Sequence, residues 1–352
     1  MPAGRARHSR RGGERGFGMK LDIYNHIFPV KYFERMQEVI PNKGPIKRWL
    51  NIPVLYDVEA RLRMMDGFGE YQQILSNSMP PIEFIAGPER TPELARLAND
   101  GMAELCKRYP DRFPSFIASL PMNNMDATVK EIDRAIVELN ACGVQIFSHV
   151  NNRPLDEPEF YPLFEKMAGH DLPIWLHPAR AANHPDYLTE EKSKYEIWWT
   201  FGWPYETSAA MARIVFSGIF DKLPDIKIIS HHLGAMIPYF EGRVGPGWDQ
   251  LGTRTADEDY EALLASMKKR PVDYFKMFYA DTATFGSDAA TDCGLAFFGV
   301  DKCLFASDCP FDPEGGPMYI RETIRILDNI EVTDAERDAL YLDNAKKLLK
   351  LN

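Results

Sequence analysis

Histidines and one aspartate, each closing an apolar run, carry the chemistry that can be read from this chain. Leu21-Asp22-Ile23-Tyr24-Asn25-His26-Ile27-Phe28 is stopped by Pro29. Ile174-Trp175-Leu176 ends in His177, Ile228-Ile229-Ser230 runs into His231 and His232, and Leu304-Phe305-Ala306-Ser307 ends in Asp308. Apolar, β-branched runs that turn abruptly polar read as buried strands whose carboxyl ends carry function rather than packing. Neutral imidazoles and a carboxylate present lone pairs at about 2 Å to a divalent ion, and three such ligands plus an open position make a catalytic site. Water bound there has its pKa lowered to about 7. His26, His177 and Asp308 are the candidate ligands, with His232 as a general base nearby. Strand alternation sends His231 and His232 to opposite faces, so only one of them faces inward. One strand-end histidine by itself is more often a hydrogen-bonded core residue. Ser307-Asp308-Cys309-Pro310 by itself reads as a turn or helix cap. The case rests on their recurrence at four strand ends.

The elements that must position these residues follow from periodicity. Apolar runs at 21–28, 72–76, 116–120, 143–148, 173–177, 226–232, 277–283 and 303–308 are read as strands. Helical patterns occupy 31–40, 57–68, 91–108, 126–139, 159–168 and 206–216. Thr333-Asp334-Ala335-Glu336 opens the last helix as a capping box. Residues 41–53 read as a loop carrying Lys47, Arg48 and Trp49. Strands that alternate with helices, with no hairpin between them, predict a parallel (β/α)8 TIM barrel of α/β class. It is a single domain over 19–352 with extended loops at its C-terminal face. In such a barrel the strand ends converge on one active face.

Length and composition agree with a single soluble enzyme. The chain has 352 residues, 45% hydrophobic and 26% charged, with a formal net charge of −10. That charge, with no basic stripe, argues against nucleic acid as a partner, and no apolar stretch is long enough to span a membrane. Cys106, Cys142, Cys293, Cys303 and Cys309 form no CxxC pair and read as buried thiols of a reducing cytosol, so a cytoplasmic location is expected. Residues 1–18 read as a disordered basic extension. Arg10-Arg11 resembles a twin-arginine signal only superficially, because no apolar segment follows it. His149 is read as structural, and His8, His170 and His184 as surface residues. The segment 179–204 is aromatic, and Tyr195 to Trp203, Trp199 included, is read as pocket wall or lid, or else as an interface.

Several stretches resemble amidohydrolase family 2, and within it the non-oxidative decarboxylases of the aminocarboxymuconate-semialdehyde type. They are Gly143-Val144-Gln145-Ile146-Phe147-Ser148-His149-Val150-Asn151, Trp175-Leu176-His177-Pro178, Phe201-Gly202-Trp203-Pro204-Tyr205-Glu206-Thr207-Ser208, the run from His231 to Arg243, and Ala306-Ser307-Asp308-Cys309-Pro310-Phe311. The resemblance runs from about Met19 to the C-terminus. It implies a barrel that is a homodimer or higher homo-oligomer and holds one divalent ion, zinc first and manganese second. It places the catalytic histidine at His232, six positions before Pro238. It places the substrate-carboxylate arginine, donated in some members by a neighbouring subunit, at Arg243. No lysine ends the fourth strand, which argues against a carbamate-bridged two-metal site. One departure stands out: the family's first strand ends Asp-x-His-x-His, or has Glu for the first His, whereas here Tyr24 fills that position. A phenol binds zinc poorly unless the metal removes its proton. Tyr24 is therefore expected to line the pocket, with its hydroxyl on Asp308, water or substrate.

These readings converge on a metal-dependent, non-oxidative decarboxylase of a small aromatic or muconate-like carboxylic acid. His232 shuttles the proton, Asp308 serves as ligand and proton donor, and Arg243 and Arg48 pair with a carboxylate through the guanidinium fork. The alternatives are a metal-dependent hydrolase or hydratase of a ring-cleavage product, and a ligand-binding barrel without catalysis.

Overall fold

The computed structural model describes residues 18–40 and 42–351; the extension 1–18 lies outside them except for Gly18, and so does His8. Eight strands form one parallel sheet in strict chain order: β1 Lys20–Ile27, β2 Tyr71–Asn77, β3 Phe116–Ser119, β4 Val144–Phe147, β5 Ile174–His177, β6 Ile228–Ser230, β7 Tyr279–Asp281 and β8 Cys303–Leu304. Backbone bonds from Ile23 N to Phe305 O (2.9 Å), Asp308 N to Tyr24 O (3.1 Å) and His26 N to Cys309 O (2.8 Å) bring the last strand back to the first. This is the (β/α)8 barrel, closed along the seam beside β1. Among the described residues no helix is long and apolar enough to cross a membrane.

Alternation sorts side chains between two apolar layers. Leu21, Ile74, Ile117, Trp175, Ile229, Leu304 and Ala306 fill the barrel, joined from below by Ala345, Leu348 and Leu349 of the last helix. Leu75, Phe116, Ala118, Val144, Ile146, Leu176 and Ile228 pack outward against the helices. β1 departs from strict alternation. Its pairing with β2 shifts register between Asp22 and Asn25, and both Ile23 and Tyr24 join the interior layer. A bulge of this kind re-aims a strand, here carrying Tyr24 and then His26 toward the barrel axis.

Several predicted boundaries moved, each for a local reason. The 41–53 segment contains a helical turn, Lys47–Leu50, rather than only loop. The helix after the aromatic segment begins at Gly202, ahead of Glu206. His149–Val150 and Arg153–Pro154 form a small antiparallel pair that sequence patterning missed, because two residues leave no period to read. β6 stops at Ser230, two residues short of the predicted run. Thr333 caps the helix Asp334–Asp338 with Glu336 completing the box. All five cysteines are free; Cys142, Cys303 and Cys309 are buried, whereas Cys106 and Cys293 are only half-buried.

Candidate metal centre and active site

At the carboxyl ends of β1, β5, β6 and after β8, one ligand atom each from His26, His177, His231 and Asp308 lies within 4.8 Å of the others, and all four residues are buried. The hydrogen bonds around the imidazoles define their tautomers. His177 Nδ1 sits 2.7 Å from the Pro178 carbonyl, which can only accept, so Nδ1 carries the proton and Nε2 the lone pair. Ser76 Oγ gives its hydrogen to Asn25 O (2.6 Å) and therefore accepts from His26 Nδ1 at 3.0 Å. His26 Nε2 then presents a lone pair 2.9 Å from Asp308 Oδ1. Two lone pairs at that separation repel unless a cation lies between them. The donor set therefore fits a divalent ion: neutral imidazole nitrogens and one carboxylate, each oriented by an outer hydrogen bond.

The electrostatics divide these imidazoles into two kinds. Burial raises Asp308, but the imidazoles of His231, His232 and His26 gathered around it outweigh that and hold the carboxyl well below its usual range. Burial depresses His231, yet the Asp281 and Asp308 carboxylates outweigh it and push the imidazole up to about 9. Burial pushes His26 and His177 down, so both favour the neutral, ligating form.

His232 does not stand alone at the β6 end, as alternation predicted. The ladder ends before His231, and His232 takes a left-handed φ of 56°, which turns its ring back toward the site. Alternation holds only while the extended ladder continues, so both rings reach Asp308. His231 Nε2 is 3.4 Å from Oδ1 and His232 Nε2 is 3.7 Å from Oδ2. Asp308 itself has φ 60°, a strained conformation for a non-glycine residue and one found where function holds it. Neither ring nitrogen of His232 has a hydrogen-bond partner among the described residues. Burial, then the His231 charge, lowers its pKa.

Above this floor opens a cavity of about 520 Å³, lined by His177, Asp308, Arg48, Trp199, Lys47 and Lys192, with Trp49, Trp203, Phe285, Phe311 and Tyr319 among its aromatic walls. Trp203 meets His177 edge-on at 5.5 Å, Phe285 lies 5.0 Å from His232, and Phe311 lies 5.4 Å from His26. The Arg48 guanidinium bonds the Phe311 carbonyl and lies over that ring at 5.9 Å. Arg243 does not reach this cavity in its own chain. It lines a separate groove of about 690 Å³ with Tyr205, Phe240 and Trp248. Tyr24 is fully buried. Its hydroxyl donates to Gln145 Oε1 at 2.7 Å, a partner outside the three the sequence offered (Asp308, water or substrate), because the strand-four glutamine stands within hydrogen-bond reach.

A family model described as Amidohydrolase matches residues 53–351. The chain belongs to the amidohydrolase family. This amidohydrolase is 32% identical over 341 residues to gamma-resorcylate decarboxylase of Polaromonas sp. (strain JS666), covering 92% of this chain and 97% of that one. It is 26% identical to 2-amino-3-carboxymuconate-6-semialdehyde decarboxylase of Dictyostelium discoideum, covering 95% and 92%. Among solved structures it is similar to a dihydroxybenzoic acid decarboxylase from Polaromonas sp. JS666 with bound manganese and the inhibitor 2-nitroresorcinol. That match has TM-score 0.78 and 27% identity, over 96% of this chain and 98% of the other. A 5-carboxyvanillate decarboxylase from Novosphingobium aromaticivorans, also with bound manganese, matches at TM-score 0.80 and 25% identity, over 97% and 99%. The family match begins after β1, so the residues at the β1 end rest on the fold and the whole-chain relatives.

Sequence reading passed over three supports of this amidohydrolase site. Arg61 is fully buried and donates to Asn25 Oδ1 (2.9 Å), Gln73 Oε1 (2.6 Å) and the His26 carbonyl, pinning the end of β1. Its position among Val58, Leu62 and Met65 on an apolar stripe was the available signal. Asp22 accepts from Tyr71 Oη and Ser307 Oγ, both at 2.5 Å, tying β1 to the strand that delivers Asp308. Asp281, at the end of β7, accepts from His231 Nδ1 at 2.6 Å; it lies inside the predicted 277–283 run, whose apolar part stops just before it.

Proposed function

We propose that the chain is a metal-dependent, non-oxidative decarboxylase of a small aromatic carboxylic acid. The observation that carries it is a cation-demanding His/Asp cluster whose His177 and Asp308 line an aromatic-walled cavity, with an unpartnered His232 beside Asp308 and the cavity wall residue Phe285. The relatives named as decarboxylases support the reaction class.

His26, His177 and Asp308 would hold one divalent ion. Zinc suits this nitrogen-rich set and manganese is the ion bound in the relatives' structures. When bound, that ion supplies Lewis-acid polarisation of a substrate oxygen. The chain's own residues do the rest. The aromatic walls bury the ring of the substrate and exclude water. Arg48 offers its guanidinium to an oxyanion from the loop side. His232, held neutral at rest by burial, takes a proton from solvent and delivers it to the ring carbon that bears the carboxylate. The C–C bond then breaks, its electron pair returns to the ring, and carbon dioxide leaves. Its two unpartnered nitrogens suit a group that must take and give a proton. Arg243 acts on substrate only if a second copy brings it to the cavity, so homo-oligomerisation is part of the proposal.

The test is loss of ultraviolet absorbance with carbon dioxide release across 2,6-dihydroxybenzoate, other hydroxybenzoates and 5-carboxyvanillate, with Mn²⁺ or Zn²⁺ supplied. Metal-dependent release from at least one acid supports the proposal; no release from any overturns it. Product formed in isotopic water separates decarboxylation, which adds only hydrogen, from hydrolysis or hydration, which adds solvent oxygen.

A further inference from the structure

We infer that a fourth protein ligand comes from the end of β6 and not from β1: His231 Nε2 holds the ion, oriented by Asp281, and Tyr24 does not. The inference rests on the metal-dependent reading above and concerns only which atoms hold the ion.

Residues 24 and 26 share the interior face of β1, so Tyr24 stands where a second ligand from that strand would stand. Its ring meets His26, His177 and His231 edge-on, at 5.0, 5.9 and 4.7 Å between centroids. Its oxygen is turned elsewhere. The hydroxyl hydrogen is given to Gln145 Oε1, and that amide is held by its own Nε2 bond to Asn77 O at 3.2 Å. To ligate, Tyr24 must give up this bond and then face an acceptor oxygen 2.7 Å away. The geometry makes the ring a wall and the hydroxyl a tether to β4.

His231 shows the opposite arrangement. Asp281 Oδ2 takes its Nδ1 proton at 2.6 Å, while Asp281 Oδ1 is fixed by the amides of His232 and Ala283, each at 3.1 Å. The carboxylate cannot turn away, so Nδ1 keeps its proton and Nε2 is the nitrogen open to a cation, which takes the place of a proton there. It is fully buried and has no hydrogen-bond partner among the described residues. Leu176 pairs with Ser230 in the ladder, which sets His177 and His231 side by side, their rings 5.1 Å apart at 29°. A carboxylate that orients a histidine whose far nitrogen meets other imidazoles and an aspartate is the pattern of a metal ligand with its outer support. The ligand set becomes three imidazoles and Asp308. His231 is thereby withdrawn from proton transfer, leaving that work to His232.

The experiment reads metal, not turnover. Metal-free protein is titrated with Mn²⁺ and Zn²⁺, ions retained per chain are counted, and the circular dichroism and unfolding midpoint of each metal-free variant are recorded alongside. Tyr24→Phe is expected to keep one ion per chain with affinity within about threefold, whereas Asp281→Asn loses roughly 10–100-fold. His231→Gln is expected to lose about 100-fold or more, and the double variant Tyr24→His, His231→Gln to regain at least about tenfold by returning a nitrogen donor on the His26 face. A folded His231→Gln that binds as tightly as the parent overturns the inference, and so does a folded Tyr24→Phe that loses its ion. The expected binding pattern in a protein that decarboxylates none of the acids supports the ligand assignment and removes only the reaction.

Discussion

The ends of β1 and β6 each present two residues that could serve the site, and they do so by opposite means. At β1 the ladder continues past the functional residues: Asn25, His26 and Ile27 still pair with Leu75, Ser76 and Asn77. Tyr24 and His26 face inward together because they are two apart after a bulge. At β6 the ladder ends at Ser230, and Asp281 of the next strand takes over, holding the His232 amide by its carboxylate and the Leu233 amide by its carbonyl. His231 and His232 then both reach Asp308 although they are adjacent, because a left-handed residue replaces the pleat. A continuing strand delivers alternate residues to a site, whereas a strand that stops can deliver neighbours. The β1 end stays paired and is supported by a buried guanidinium; the β6 end is strained and supported by a buried carboxylate.

Removing His26, the proposed ligand at the β1 end, tests the comparison most severely. His26→Ala is expected to abolish stoichiometric metal and to lower kcat/KM on a decarboxylated acid by about a thousandfold or more, with parent-like circular dichroism. A variant that keeps both ion and rate would mean that the β6 end suffices. His232→Asn sharpens the division of labour: metal content should survive while kcat falls by roughly 10²–10⁴-fold, the range of a lost general acid–base. Parallel loss of metal would make His232 a ligand and collapse the distinction between the two β6 residues.

The supports give smaller effects. Arg61→Met strands the acceptors on Asn25, Gln73 and His26 and should cost about 2–4 kcal/mol in urea unfolding, with weaker metal binding as β1 loosens. Unchanged stability would show that water replaces the guanidinium freely. The smallest effect is a pH slope at Asp22. Burial, only partly offset by hydrogen bonds from Ser307 and Tyr71, raises its pKa from 3.8 to about 6. A raised folded pKa means that its contribution is fully present below about 4 and lost as pH rises to about 6. Across that window the parent should lose on the order of 2 kcal/mol relative to Asp22→Asn, read from urea midpoints at pH 4 and pH 7. Parallel curves for the two proteins would place the Asp22 proton elsewhere.

How much of this was legible varies with how local the cause is. The helix Thr91–Arg108 was read to its ends, because Pro92 and the basic last turn mark them and its apolar face repeats over many turns. Barrel strands were found because each is a short apolar run between helices, and their order followed because parallel neighbours need crossover helices. His26, His177 and Asp308 stood out as polar residues ending apolar strands. Arg61 did not, since its charge hid a buried role that only its hydrogen-bond partners on β1 and β2 reveal. Asp281 lay inside its predicted run, 277–283, whereas Asp308 closed its own, and only the contact with His231 reveals its role.

Sequence alone determined the parallel barrel, the face on which its chemistry must lie, and the residue types that can hold a cation there, because periodicity and residue chemistry are properties of short stretches. Tertiary structure decided which of two adjacent histidines faces the cluster, and the answer was both. It turned the Tyr24 hydroxyl to Gln145 and placed Arg243 outside the cavity. Each of those outcomes depends on where a ladder breaks, on which side chain from a distant strand stands nearest, or on the path of a loop. Such contacts join residues tens to hundreds of positions apart, Tyr24 with Gln145 and His26 with Asp308, and no local pattern carries them.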